Sequence, residues 1–95
     1  MAGHLAHITA GDALNVRAIE TFDGGRNAVT EVTMAKLYAT DLARVVIHDA
    51  QQIHGGIGYT PDCWVARMWR DSRLYSIGGG ASEIMTEIIA RNSGF

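Results

Sequence analysis

An all-α fold, a long helical hairpin followed by two shorter helices, is predicted by three observations. Apolar residues recur at three- and four-residue steps, proline occurs once, at Pro61, and glycine clusters punctuate the chain at three places. No alternating strand pattern, repeat or low-complexity tract competes with this reading, and no linker composition marks a second domain.

The first helix is expected over residues 1–22, where Leu5, Ile8, Val16 and Ile19 form an apolar stripe that Gly11-Asp12 softens in the middle. Asp23-Gly24-Gly25 stops it, since glycine supplies the backbone freedom of a helix C-terminus. The second helix is entered near Asn27 or Thr30 and runs to His54, with Val32, Ala35, Ala39, Leu42, Val46, Ala50 and Ile53 on its apolar face. About seven turns at 1.5 Å per residue make it roughly 40 Å long. The short connection favours an antiparallel hairpin. Gly55-Gly56-Ile57-Gly58 breaks it, and Thr60-Pro61-Asp62 reads as the start of a third helix over 63–75, with Thr60 capping and Pro61 in the first turn. Gly78-Gly79-Gly80 interrupts again, and a last helix begins at Ser82 and ends at Asn92-Ser93-Gly94.

Composition narrows the function. Ninety-five residues allow one domain. A net charge of −2, with the arginines scattered, argues against a nucleic-acid surface. The single cysteine, Cys63, excludes an internal disulfide and a cysteine zinc cage, and it has no assignable partner as a nucleophile. No apolar run approaches the ~20 residues of a membrane span, and the start lacks a signal-peptide pattern, so the expected compartment is the cytoplasm.

Three strings carry the chemistry. They are Gln52-Ile53-His54-Gly55-Gly56-Ile57-Gly58-Tyr59, Arg70-Asp71-Ser72-Arg73, and Gly79-Gly80-Ala81-Ser82-Glu83-Ile84. Together, in this order, they resemble the carboxy-terminal helical domain of flavin-dependent acyl-CoA dehydrogenases, weakly over residues 6–26 and strongly over 34–91. The resemblance implies part of a four-helix bundle, with the first bundle helix, an amino-terminal helical domain and a β-domain lying outside these 95 residues. It also implies partial contacts to flavin adenine dinucleotide (FAD) from Gln52, Ile53, His54, Gly55 and Gly56, and from Ala81, Ser82 and Glu83. Glycines let a backbone approach a bulky anion, and a helix N-terminus offers unpaired N–H donors. The family commonly has threonine where Ala81 stands, which removes one hydroxyl.

In such enzymes a carboxylate removes the α-proton of an acyl thioester while hydride passes to the flavin. Many members carry that glutamate at the position of Gly79, which cannot accept a proton, and Gly80 beside it would face the substrate. Members with a small residue here take their base from an earlier helix. Glu83 and Glu87 are the nearest carboxylates, and Glu83 better suits the electrostatics of a helix N-terminus. No catalytic residue is therefore expected within the chain.

Other residues read as structural. His4 and His7, one turn apart, are expected on a solvated face rather than on a metal, for want of a third ligand. His48 and His54 share no helical face. Arg67, Arg70 and Arg73 are expected to form an ion-paired face with Asp62 and Asp71, and Trp64, Met68 and Trp69 to lie in a core or interface. Two functions remain open: part of an acyl-CoA dehydrogenase completed by other segments or a partner chain, or a non-catalytic association module on the same fold. Either way an apolar stripe must be covered, which predicts a homodimer, a larger oligomer or a complex subunit.

Overall fold

The computed structural model describes residues 2–78 and 81–94, and these form four α-helices without a strand. Helix α1 spans Ala2–Asp23 and α2 spans Val29–His54. The turn between them follows from the two glycines: Gly24 N–H donates to the Glu20 carbonyl at 3.0 Å and Arg26 N–H to that of Thr21 at 3.3 Å, while Gly25 takes φ +75°. Asn27 Oδ1 then accepts the Val29 N–H at 3.0 Å and starts α2 between the two expected positions.

Helix α1 is continuous through Gly11-Asp12, and its packing face is not the expected apolar stripe. Leu5, Val16 and Ile19 are 66%, 53% and 59% exposed. The residues turned inward are His4, Gly11, Leu14, Ala18 and Thr21, a heptad-like seam of small and polar side chains with one leucine. Gly11 is part of the reason, because a Cβ there would already touch the Tyr38 ring of α2 at 3.5 Å. His4 Nε2 lies 2.6 Å from Asp49 Oδ2, and His7 Nδ1 lies 2.8 Å from the Tyr38 hydroxyl. The two histidines thus link α1 to α2, His4 from a half-buried position that departs from the expected solvated face and His7 from an exposed one.

Helix α2 is the centre of the fold and packs against α1, α3 (Trp64–Ser72) and α4 (Ser82–Asn92). The expected third helix is divided: it starts later, at Trp64, and tightens into a 3-10 turn over Arg73–Ser76. Thr60 and Pro61 precede it rather than cap it, since Thr60 Oγ1 donates backwards to the Ile57 carbonyl at 2.7 Å. The core is thin. Val65 is fully buried, and Ala18, Ala28, Ala35 and Met85 are buried elsewhere along the helices, whereas Trp64, Met68 and Trp69 are about half exposed and so do not form a core in this chain. Arg67 Nη1 donates to the Pro61 and Asp62 carbonyls at 3.2 and 3.0 Å, and no carboxylate among the described residues pairs with Arg67, Arg70 or Arg73, which corrects the ion-paired face.

Candidate functional site

The first string sits where α2 ends. Gly55 takes φ +67° and ψ −149°, a conformation open to glycine, and its N–H caps the helix on the Gln52 carbonyl. The chain continues as a 3-10 turn over Gly55–Tyr59 that folds back on the last turn of α2. Gly58 is buried there, and a Cβ on it would stand 2.7 Å from the Gln51 carbonyl oxygen and 2.9 Å from His54 Cβ. Gln51 Nε2 donates to the Gly58 carbonyl at 2.9 Å and closes the turn.

Gly56 differs from both neighbours. Its φ is not positive, and a Cβ built on it would meet nothing within 4 Å. Neither helix termination nor packing within the chain requires glycine at this position. Beside it, Gln52, Ile53 and His54 are exposed, and His48, Gln51, Gln52, Gly55 and Tyr59 line a hollow of about 200 Å³. His54 is oriented by its own surroundings: Nδ1 donates to the Ala50 carbonyl at 2.7 Å, and the ring meets Trp64 edge to face at 5.6 Å.

The last string lies on another element. Ala81 occupies the N-cap position of α4 with extended backbone, Ser82 is half-buried and Glu83 is exposed in the first turn. Among the described residues no side chain caps this end, which leaves its leading N–H groups without a side-chain acceptor there. Gly79 and Gly80, the positions read as the missing base and as substrate-facing, lie outside the described residues. The hollow at the end of α2 takes no lining residue from Ala81, Ser82 or Glu83, so the two groups do not share one cavity.

A larger cavity of about 660 Å³ between α2 and α3 is lined by Asp41, Arg44, Val45, His48, Trp69, Ser72 and Arg73. Sequence reading assigned no role to Gln51 or Tyr59 as separate residues. Two adjacent glutamines at a helix end were the available signal, because consecutive positions differ by about 100° around the helix and cannot both face one way. No group of three metal-ligating side chains occurs among the described residues, and none of their helices is long and apolar enough to cross a membrane.

Comparison with known proteins agrees with this architecture. The family profile described as acyl-CoA dehydrogenase, C-terminal domain, matches residues 1–94. A 3-(aryl)acrylate reductase of Clostridium sporogenes is 39% identical over 85 residues, 90% of this chain and 22% of that protein. The probable acyl-CoA dehydrogenase YdiO of Escherichia coli is 50% identical over 62 residues, 65% of this chain and 16% of that protein. Among solved structures, an acyl-CoA dehydrogenase from Geobacillus kaustophilus superposes with a TM-score of 0.90 at 38% identity, covering 96% of this chain and 24% of the other. The chain thus spans about a quarter or less of the length of these relatives. It belongs to the acyl-CoA dehydrogenase family and has the all-helical fold of that family's C-terminal domain.

Proposed function

We propose that this chain is the C-terminal part of a flavin-dependent acyl-CoA dehydrogenase, contributing partial FAD contacts and subunit packing but no catalytic base of its own. The observation that carries the cofactor reading is Gly56. Gly55 is explained by its φ of +67° and Gly58 by contacts under 3.0 Å, whereas Gly56 has open space in front of it. A glycine there leaves a bare stretch of backbone for something outside the chain to approach. The exposed amide of Gln52 and the start of α4 each suit an anionic, hydrogen-bonding group.

When bound, FAD would accept hydride from the β-carbon of an acyl thioester. Gln52 would hydrogen-bond it, the backbone of Gly55 and Gly56 would pass close to it, and Ser82 with the first N–H groups of α4 would make a separate partial cofactor contact. Glycine at position 79 leaves proton removal to a carboxylate supplied from elsewhere, by segments corresponding to the rest of the relatives or by a partner chain. The relatives act in both directions by name, as reductases and as dehydrogenases, and one is a subunit of a caffeyl-CoA reductase–Etf complex of Acetobacterium woodii.

The test is gel filtration with light scattering and a visible absorbance trace on the chain supplied with FAD. The expected result is a dimer or larger species carrying the flavin band, and loss of that band in Gly56→Ala with mass and helicity retained. A colourless wild-type oligomer would sink the cofactor reading and leave a helical association module, to which the exposed Phe22, Ile53 and Trp64 are well suited.

A further inference from the structure

Two glutamines stand side by side at the end of α2, and the structure gives them different tasks. Gln52 is exposed and makes no hydrogen bond through its side chain among the described residues, while its carbonyl accepts the Gly55 N–H. Gln51 is half-buried, and its amide spans seven positions to the Gly58 carbonyl at 2.9 Å. Gly58 is buried, so without that amide its carbonyl would lose its side-chain donor against the helix end. Its missing Cβ is what permits the approach, because the Gln51 carbonyl oxygen and Cγ would lie 2.7 and 3.3 Å from such an atom. Gly56 and Ile57 form the outer side of the same turn, between the capped Gly55 and the tethered Gly58, and Ile57 is 71% exposed.

We propose that Gln51 is a positioning residue for the cofactor-facing turn: its amide fixes the Gly58 end, and thereby sets where the Gly55–Gly56 backbone is presented to a dinucleotide. The proposal rests on the reading of Gln52 to Gly56 as FAD contacts. Gln51 acts through the turn, by holding one carbonyl in register, and Gln52 meets the ligand. The turn is short, with its other end fixed by Gly55, so releasing the Gly58 end displaces the peptides between them. The helices on either side retain their own hydrogen bonds.

The experiment is FAD titration by fluorescence quenching of the full chain and two variants, with far-UV circular dichroism melts on each. Gln51→Met keeps the length and apolar stem of the side chain and removes the donor. It is expected to bind FAD about tenfold more weakly, the scale of one hydrogen bond's net worth, with helicity and Tm close to wild type. Gln51→Glu places a carboxylate against a carbonyl oxygen at neutral pH and regains a donor when protonated. Its affinity relative to wild type at the same pH is expected to be low at neutral pH and to recover as the pH falls through the carboxyl range, a profile that loss of packing alone would not give. Wild-type affinity in Gln51→Met would overturn the proposal while leaving the cofactor reading intact. A loss of binding that simply tracks unfolding, with no recovery in Gln51→Glu, would also overturn it by reducing Gln51 to a stabilising contact. Failure of the wild-type chain to bind FAD would remove both.

Discussion

Replacing Gly58 by alanine tests the geometry of the turn without any ligand. The added Cβ would lie 2.7 Å from the Gln51 carbonyl oxygen and 2.9 Å from His54 Cβ, atoms held by the last turn of α2 that cannot swing aside like the end of a long side chain. The turn must lift, at an overpacking cost of about 1–3 kcal/mol. Lifting stretches the Gln51–Gly58 hydrogen bond, worth a further ~0.5–1.5 kcal/mol. A total near 2–4 kcal/mol lowers the Tm of a domain this small by roughly 10–25 °C. Circular dichroism melts of three alanine variants then form a graded series. Gly55→Ala forces a residue with a Cβ to φ +67°, a strain of about 1–3 kcal/mol, and falls between the others. Gly56→Ala meets nothing within 4 Å and should stay within about 0.5 kcal/mol of wild type, or gain slightly from a less flexible unfolded chain. A Gly56→Ala loss equal to that of Gly58→Ala would refute the reasoning, because the glycine requirement would then be generic to the turn.

Other substitutions probe the hairpin and the core. Gly11→Ala should stabilise by up to about 1 kcal/mol, because alanine is the better helix former and its Cβ would only touch the Tyr38 ring at 3.5 Å; a lower Tm would contradict the seam as drawn. Val65→Ala removes apolar volume from the fully buried side chain and should cost about 2–3 kcal/mol in urea unfolding, against under ~0.5 kcal/mol for Val16→Ala at 53% exposure. His4→Ala should cost about 0.5–1 kcal/mol, discounted because the Asp49 carboxylate is 46% exposed, and a double-mutant cycle with Asp49→Ala should recover most of that as coupling; zero coupling would mean the clasp contributes nothing.

What the sequence discloses and what it conceals divide along a physical line. Helix ends were legible because they depend on local chemistry: Gly24-Gly25, Gly55 and Ser93-Gly94 stop helices where glycine or a polar residue permits it. Facing was less legible. Leu5, Ile8, Val16 and Ile19 have helical spacing and apolar character, yet α1 meets α2 through His4, Gly11, Leu14 and Ala18. Hydropathy ranks what could be buried, but closeness of approach selects small residues, and two histidines with partners on α2 add hydrogen bonds that no periodicity reveals. The third helix shows the same limit: Thr60 and Pro61 have helix-start chemistry, but the Thr60 hydroxyl was already engaged by the Ile57 carbonyl of the preceding turn. At the candidate site the strings pointed to these segments, and only the folded chain separates three glycines in three different surroundings.

The surface itself argues for company. A compact monomer of 10.3 kDa is expected to expose about 5,400 Å², whereas this chain exposes 6674 Å². Its radius of gyration is 15.5 Å against about 12.4 Å for a compact chain of this length. The excess of about 1,300 Å² exceeds the ~800 Å² that one partner contributes to an ordinary protein–protein interface. It is also apolar in the places that matter: Leu5, Ile19 and Phe22 along α1, Ile53, Ile57 and Tyr59 around the turn, and Trp64 beside His54. Covering α1 would complete the packing of a bundle, and that is a matter of stability. Covering the turn is different, because the exposed Ile53, Ile57 and Tyr59 lie within three residues of Gly56 along the chain, and a partner that buries them comes against the same segment. Water excluded from that spot strengthens any hydrogen bond a ligand makes to Gln52 or to the Gly55–Gly56 peptides. If Gln52 to Gly56 meet FAD as proposed, assembly and cofactor affinity are coupled at this end of the molecule.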